Sequence, residues 1–183
     1  MNKVNLIIAA LIFNGMSLFS QSEDFTPSKV DFDAYEKLVF EVKEHRKSRL
    51  INLEKFLLIS KEKNVIILDT RSDAMYKSKH VKGAIHLNFS DFTQANLQKL
   101  IPNTETRILI YCNNNIDKDE HNFPTKGYAP AVKTSNTKQL TLALNIPTYI
   151  NLYGYGYKNV FELSELVSTY DTRLTFEGTS VPK

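Results

Sequence analysis

The sequence predicts an α/β domain. Two continuous apolar runs rich in β-branched residues, Asn64 to Asp69 and Arg107 to Tyr111, are each preceded by apolar residues at helical spacing and followed by turn-forming residues. A run that is apolar at every position is a strand covered on both faces, as parallel strands are. At 183 residues, with 42% hydrophobic and 23% charged, the chain has material for one core and one domain. The formal charge of +3 comes from interspersed Lys and Glu rather than a basic run, which argues against a nucleic-acid partner.

The first residues read as an export signal. Met1-Asn2-Lys3 precede an apolar stretch from Val4 to Phe13, and small residues lead to a cleavage point after about Ser20. The apolar run is broken by Asn14 and Gly15 and is shorter than the roughly 20 residues of a membrane-spanning helix. Export followed by cleavage, with no membrane association afterwards, is the expectation, to a periplasm or outside the cell.

Phe32, Tyr35, Leu38, Val39 and Val42 recur at steps of three and four, an amphipathic helix over Phe32 to Lys47 opened by Asp31 or Asp33. Leu50-Ile51 is a very short strand. Asn52 caps a second helix, Leu53 to Glu62. After the central strand ending at Asp69, Ser72 to Tyr76 forms a short helix, Ala84 to Leu87 a strand, and Phe92 to Leu100 a helix ended by Pro102. Arg107 to Tyr111 is the next strand. Asn113 to Asn136 has no periodicity and predicts a long irregular loop. Leu144 to Tyr153 is helical, with Asn145 as candidate cap and Pro147 in the first turn; Asn159 to Leu163 is the last strand, and the residues beyond Leu166 read as a surface tail.

Cys112, the single cysteine, comes directly after the Arg107 to Tyr111 strand. Ligands of open α/β sheets gather at the carboxyl ends of the strands, so this is where a nucleophile would be presented. One thiol cannot form an internal disulfide in an exported chain; it is either a buried small hydrophobe or a reactive group. The four histidines have no paired spacing with Cys112, so a metal site is not supported, and no cofactor is expected.

Four pieces occur in order: Ile67-Leu68-Asp69-Thr70-Arg71; Tyr76 with His80-Val81-Lys82-Gly83-Ala84-Ile85; Ile110-Tyr111-Cys112; and Gly156-Tyr157-Lys158-Asn159-Val160. Together they resemble the rhodanese-like domain, a family of sulfurtransferases and related non-catalytic modules. The resemblance implies a single domain with a parallel five-stranded sheet and helices on both faces. Together with the export signal it divides the chain into a signal peptide at 1–20, an extension with one helix at 21–49, the domain at 50–167 with an insertion at about 117–143, and a tail at 168–183.

Cys112 matches the family's catalytic cysteine, which takes sulfur from a donor such as thiosulfate, holds it as a persulfide and passes it to a thiol or cyanide. The loop Asn113, Asn114, Asn115, Ile116, Asp117, Lys118 would supply an amide cradle and depress the thiol pKa. Asp69 and Arg71 match residues that hold the loops at the sheet edge, where an ordinary structural salt bridge accounts for them better than substrate contact does. His80 matches the histidine of the second motif, a packing residue more readily than an acid or base.

The chain also departs from the family. Where an active loop has glycine three residues after the cysteine and a cation about five after it, this chain has Asn115 and Asp117. Asparagine tolerates the left-handed conformation. A carboxylate about 6 Å from a thiolate at an effective dielectric of about 20 costs roughly 3 kcal/mol. The insertion would also displace the helix amino terminus from the sulfur, and unless Lys118, Lys126 or Lys133 folds back over the site thiosulfate would bind poorly. Related dual-specificity phosphatases have arginine at the sixth position after the cysteine; Lys118 there lacks the bidentate fork a phosphoryl group wants. Two readings stay open. One is a sulfurtransferase using a small sulfur donor and a thiol acceptor. The other is an inactive module that binds a protein through Asp119 to Asn136 and the cluster Tyr149, Tyr153, Tyr155, Tyr157.

Overall fold

The structure, a computed structural model, describes residues 26–128 and 140–182, so the expected signal peptide lies outside the described residues. The chain divides into the units Met1–Asp31 and Phe32–Lys183. Of the first, residues 26–31 are described and carry neither helix nor strand. The sheet, its helices and the candidate site belong to the second.

That unit opens with α1 (Phe32–Lys47), β1 (Leu50–Ile51), α2 (Leu53–Ile59) and β2 (Val65–Asp69). Next come α3 (Asp73–Ser78), β3 (His80–Val81), β4 (Ile85–His86), α4 (Gln94–Leu100) and β5 (Arg107–Ile110). β6 (Ile116–Asp117), β7 (Gly127–Tyr128), β8 (Leu140–Thr141), α5 (Asn145–Gly154), β9 (Val160–Leu163), β10 (Val167–Ser168) and β11 (Phe176–Glu177) complete it. Five strands form one parallel sheet in the order β1-β9-β5-β2-β4.

Side chains alternate across the pleat, so each central strand feeds two cores. Ile67 and Leu109 pack with Phe56 and Ile59 of α2 on one face. Leu68, Ile108 and Ile110 pack on the other with Val42 of α1, Leu97 of α4 and Ile150 of α5. Helices therefore cover both faces, as expected. Side-chain caps start the shorter helices: Asn52 accepts from the Lys55 amide, Ser72 from Met75 and Thr93 from Asn96. The Thr93 cap places the start of α4 at Gln94, with a separate 3-10 turn, Phe89–Asp91, before it, where the sequence predicts one helix from Phe92.

Two expectations are corrected. The first half of the segment after Cys112 is built into the fold rather than looped out: Asn113–Asn115 form a 3-10 turn, β6 pairs in parallel with β10, and Phe123 is fully buried. β7 and β8 form an antiparallel pair at the base of the insertion; residues 129–139 between them, Lys133 included, lie outside the described residues. The carboxyl-terminal segment is likewise more than a surface tail, because Leu174 is buried and β11 pairs antiparallel with β3. Backbone pairing between short, non-adjacent segments leaves no periodic trace in sequence, which is why neither was legible.

Candidate functional site

Cys112 continues the alternation of β5: it has the parity of Ile108 and Ile110, the face that α5 covers. Its sulfur consequently meets the start of that helix, and the backbone amide of Leu144, the cap residue of α5, donates to Cys112 Sγ at 3.3 Å. The insertion does not displace the helix amino terminus. It leaves and returns, and α5 still faces the thiol.

Asp69 and Arg71 have the opposite parity and lie together beneath the loops. Arg71 Nη2 lies 2.7 Å from Asp69 Oδ2, with both side chains essentially without solvent contact. Its Nε also donates to Asp69, and its remaining bonds go to the carbonyl oxygens of Asn122 at 2.9 Å and Lys79 at 2.7 Å. The guanidinium lies over the Phe123 ring at 4.4 Å. The Tyr111 hydroxyl donates to Asp69 and accepts from the Val81 amide at 3.0 Å. Arg71 thus ties the end of β2, the α3–β3 turn and the insertion together, and removing one member would strand a buried charge.

Asn115 is a second hub. Its Oδ1 accepts from the Cys112 amide at 3.0 Å and from Asn145 Nδ2 at 2.7 Å, while its Nδ2 donates to the carbonyl oxygens of Leu163 at 2.8 Å and Glu165 at 3.2 Å. It does so from the 3-10 turn; the left-handed residue of this loop is Lys118, with φ of 68°. Asn145, expected as the cap of α5, is spent on Asn115 instead. Asn114 reaches the other way, exchanging bonds with both the amide and the carbonyl of Lys126 at 2.7 and 2.6 Å and donating to Thr141 Oγ1 at 2.9 Å.

A cavity of about 360 Å³ lies beside Cys112, with Arg71, Ser72, Asn113 and Lys126 as its polar lining. Met75, Pro124, Leu142 and Leu144 supply the apolar part. The Asn113 side-chain oxygen is buried without a hydrogen-bond partner among the described residues, an arrangement that costs on the order of 1–3 kcal/mol. Ile116, Asp117 and Lys118 do not line the cavity. Asp117 sits on β6, is 40% exposed and lies 3.6 Å from its own neighbour Lys118, so the repulsion expected of it at the thiol does not arise.

The thiol itself is 1% exposed. Burial pushes its pKa above the ordinary thiol value; the Leu144 and Asn113 amides and Arg71 pull it down, while the Asp69 carboxylate adds to the rise. The expected depression is overturned because desolvation outweighs two amides. His80 is not at the thiol: its Nδ1 lies 2.7 Å from the Tyr76 carbonyl oxygen and its ring stacks on Tyr76 at 3.9 Å. Of the tyrosine cluster, Tyr149 and Tyr157 are buried, and none of the four lines the cavity. Among the described residues no group of three or more His, Cys, Asp or Glu is placed to hold a metal, and no helix is long and apolar enough to cross a membrane. Sequence reasoning missed Leu144 and Leu142, for a backbone amide donor and a cavity wall have no residue signature.

The order of these pieces along the chain and the cysteine at the carboxyl edge of a five-stranded parallel sheet coincide with a match to the model of the rhodanese-like domain over residues 52–165. The chain belongs to the rhodanese-like domain family. At the level of the family it is a sulfurtransferase-like module. Among solved structures, the BH2092 protein from Bacillus halodurans is similar at 18% identity, covering 81% of this chain and 86% of its own, with a TM-score of 0.46. A rhodanese from E. coli, solved with anions, shares 16% identity over 62% of this chain and 98% of its own, with a TM-score of 0.37. No curated protein matches the chain.

Proposed function

We propose that this rhodanese-like protein is exported and carries sulfur on Cys112. The observation that supports this reading best is the Leu144 amide at 3.3 Å from Sγ beside a cavity of about 360 Å³. Anions are favoured at helix amino termini, where free amides point outward. With thiosulfate, the Cys112 thiolate attacks the outer sulfur, the S–S bond breaks, and sulfite leaves with the bonding pair; a thiol acceptor then takes the sulfur from the persulfide.

The test is the intact mass of the full chain after exposure to thiosulfate or polysulfide. A gain of about 32 Da that is absent in Cys112→Ser, and is lost again on adding a thiol, is the expected result; no gain from either donor overturns the reading. Export is tested by sequencing the amino terminus of the protein recovered outside the cytoplasm, with cleavage after about Ser20 expected.

A second reading has its own support. A thiol that is 1% exposed, with its pKa raised by burial, suits an inactive module whose insertion binds a protein. Absence of the 32 Da gain in a well-folded protein favours it.

A further inference from the structure

The cavity beside Cys112 is larger and more apolar than a small inorganic anion requires. Its volume of about 360 Å³ falls in the range of sites for organic ligands. Four apolar side chains line it, Leu142 from the end of the insertion and Leu144 just after it among them, and no carboxylate does. Of its two cations, Arg71 is already neutralised by Asp69. Lys126 has no carboxylate within ion-pair distance among the described residues and is exposed, so its ammonium is available at the rim.

The backbone of Lys126 is held in place. Asn114, two residues after the thiol, bonds both its amide and its carbonyl, and the Leu142 amide donates to the same carbonyl at 3.1 Å. The insertion therefore delivers one cation and one apolar wall at a fixed place relative to Cys112. Thiosulfate, doubly charged and without an apolar body, would leave Met75, Pro124, Leu142 and Leu144 uncovered.

Resting on the sulfur-carrier reading, we propose that the donor is an organic persulfide with an apolar chain and a terminal carboxylate, the chain against those four residues and the carboxylate at Lys126. The Cys112 thiolate attacks the outer sulfur of R–S–SH; the donor S–S bond breaks as the new one forms, R–S⁻ leaves with the bonding pair, and Cys112 keeps –S–SH. No outside oxidant or reductant is needed.

The experiment follows the rate of the 32 Da gain on the full chain with persulfides of mercaptoacetate, 6-mercaptohexanoate and 6-mercaptohexanol, and with inorganic polysulfide. Each buried methylene is worth about fourfold, so the hexanoate donor is expected to react at least tenfold faster than the acetate donor. Lys126→Met is expected to lower the hexanoate-to-hexanol rate ratio about threefold, a size suited to an exposed ion pair. Equal rates for the short and long donors, or an unchanged ratio in Lys126→Met, overturn the proposal while polysulfide still loads Cys112. No gain from any donor, polysulfide included, overturns the sulfur-carrier reading and this proposal with it.

Discussion

Leu144 and Cys112 stand 32 residues apart in sequence and 3.3 Å apart in space, amide nitrogen to sulfur. The contact requires both the parity of β5, which turns Cys112 toward α5, and the return of the insertion to the start of that helix. It delivers an anion-stabilising donor to a thiol that is otherwise desolvated, and the two effects oppose each other.

Desolvation prevails, which sets the pH dependence of the thiol. Because the folded-state pKa is raised by burial, the thiolate forms only as pH climbs above the ordinary thiol range near 8.5. Alkylation of Cys112 by iodoacetamide between about pH 6 and 11 is expected to show a midpoint above that of a free cysteine, with slow reaction at neutral pH. A midpoint below about 8.5 would mean that the amides dominate.

Arg71→Ala is expected to cost about 3–5 kcal/mol in urea unfolding, the range for breaking a buried pair from one side. The loss has three sources: Asp69 is left as a buried carboxylate, the Asn122 and Lys79 carbonyls lose their donor, and the ring of Phe123 loses its cation. An effect below about 1 kcal/mol would show that water reaches the pair.

Asn115→Gly restores the residue that the family pattern favours, yet it is expected to destabilise this protein by about 2–3 kcal/mol, since the Cys112 amide and Asn145 side chain lose their acceptor. The same denaturant titration checks it. In the sequence Asn115 reads as a tolerated stand-in for glycine, a matter of backbone conformation. Its use as a four-bond hub depends on where Asn145, Leu163 and Glu165 come to rest, which no local pattern encodes. The sheet is legible because Val65 to Leu68 and Arg107 to Tyr111 carry their own burial signal. The position of Cys112 follows from the strand before it. Its raised pKa does not, because burial is a property of the assembled fold.

Within the insertion, stability and exposure divide by position. Phe123 is fully buried under Arg71, so Phe123→Ala is expected to cost about 3–5 kcal/mol. Tyr128, on β7, is 60% exposed, and Tyr128→Ala is expected to stay within about 0.5 kcal/mol. Equal effects at the two positions in thermal or urea unfolding would contradict the burial of the first half of the insertion.

On the face of the sheet that α1 and α5 cover, His45 of α1 lies 2.9 Å from the hydroxyl of Tyr149, which donates to the Val160 carbonyl at 3.1 Å and so ties α5 to β9. Burial lowers the folded-state pKa of His45, with Arg49 and Lys158 adding repulsion. The unfolded chain therefore takes up a proton at this position more readily than the folded one does. Its contribution to stability is present above the ordinary histidine pKa of about 6.5 and is lost as pH falls through the lowered folded value. His45→Gln, which keeps a polar group but cannot titrate, is expected to flatten the fall in unfolding midpoint between about pH 7 and 5 relative to the parent chain. A slope in that window unchanged by the substitution would assign the acid sensitivity to other groups.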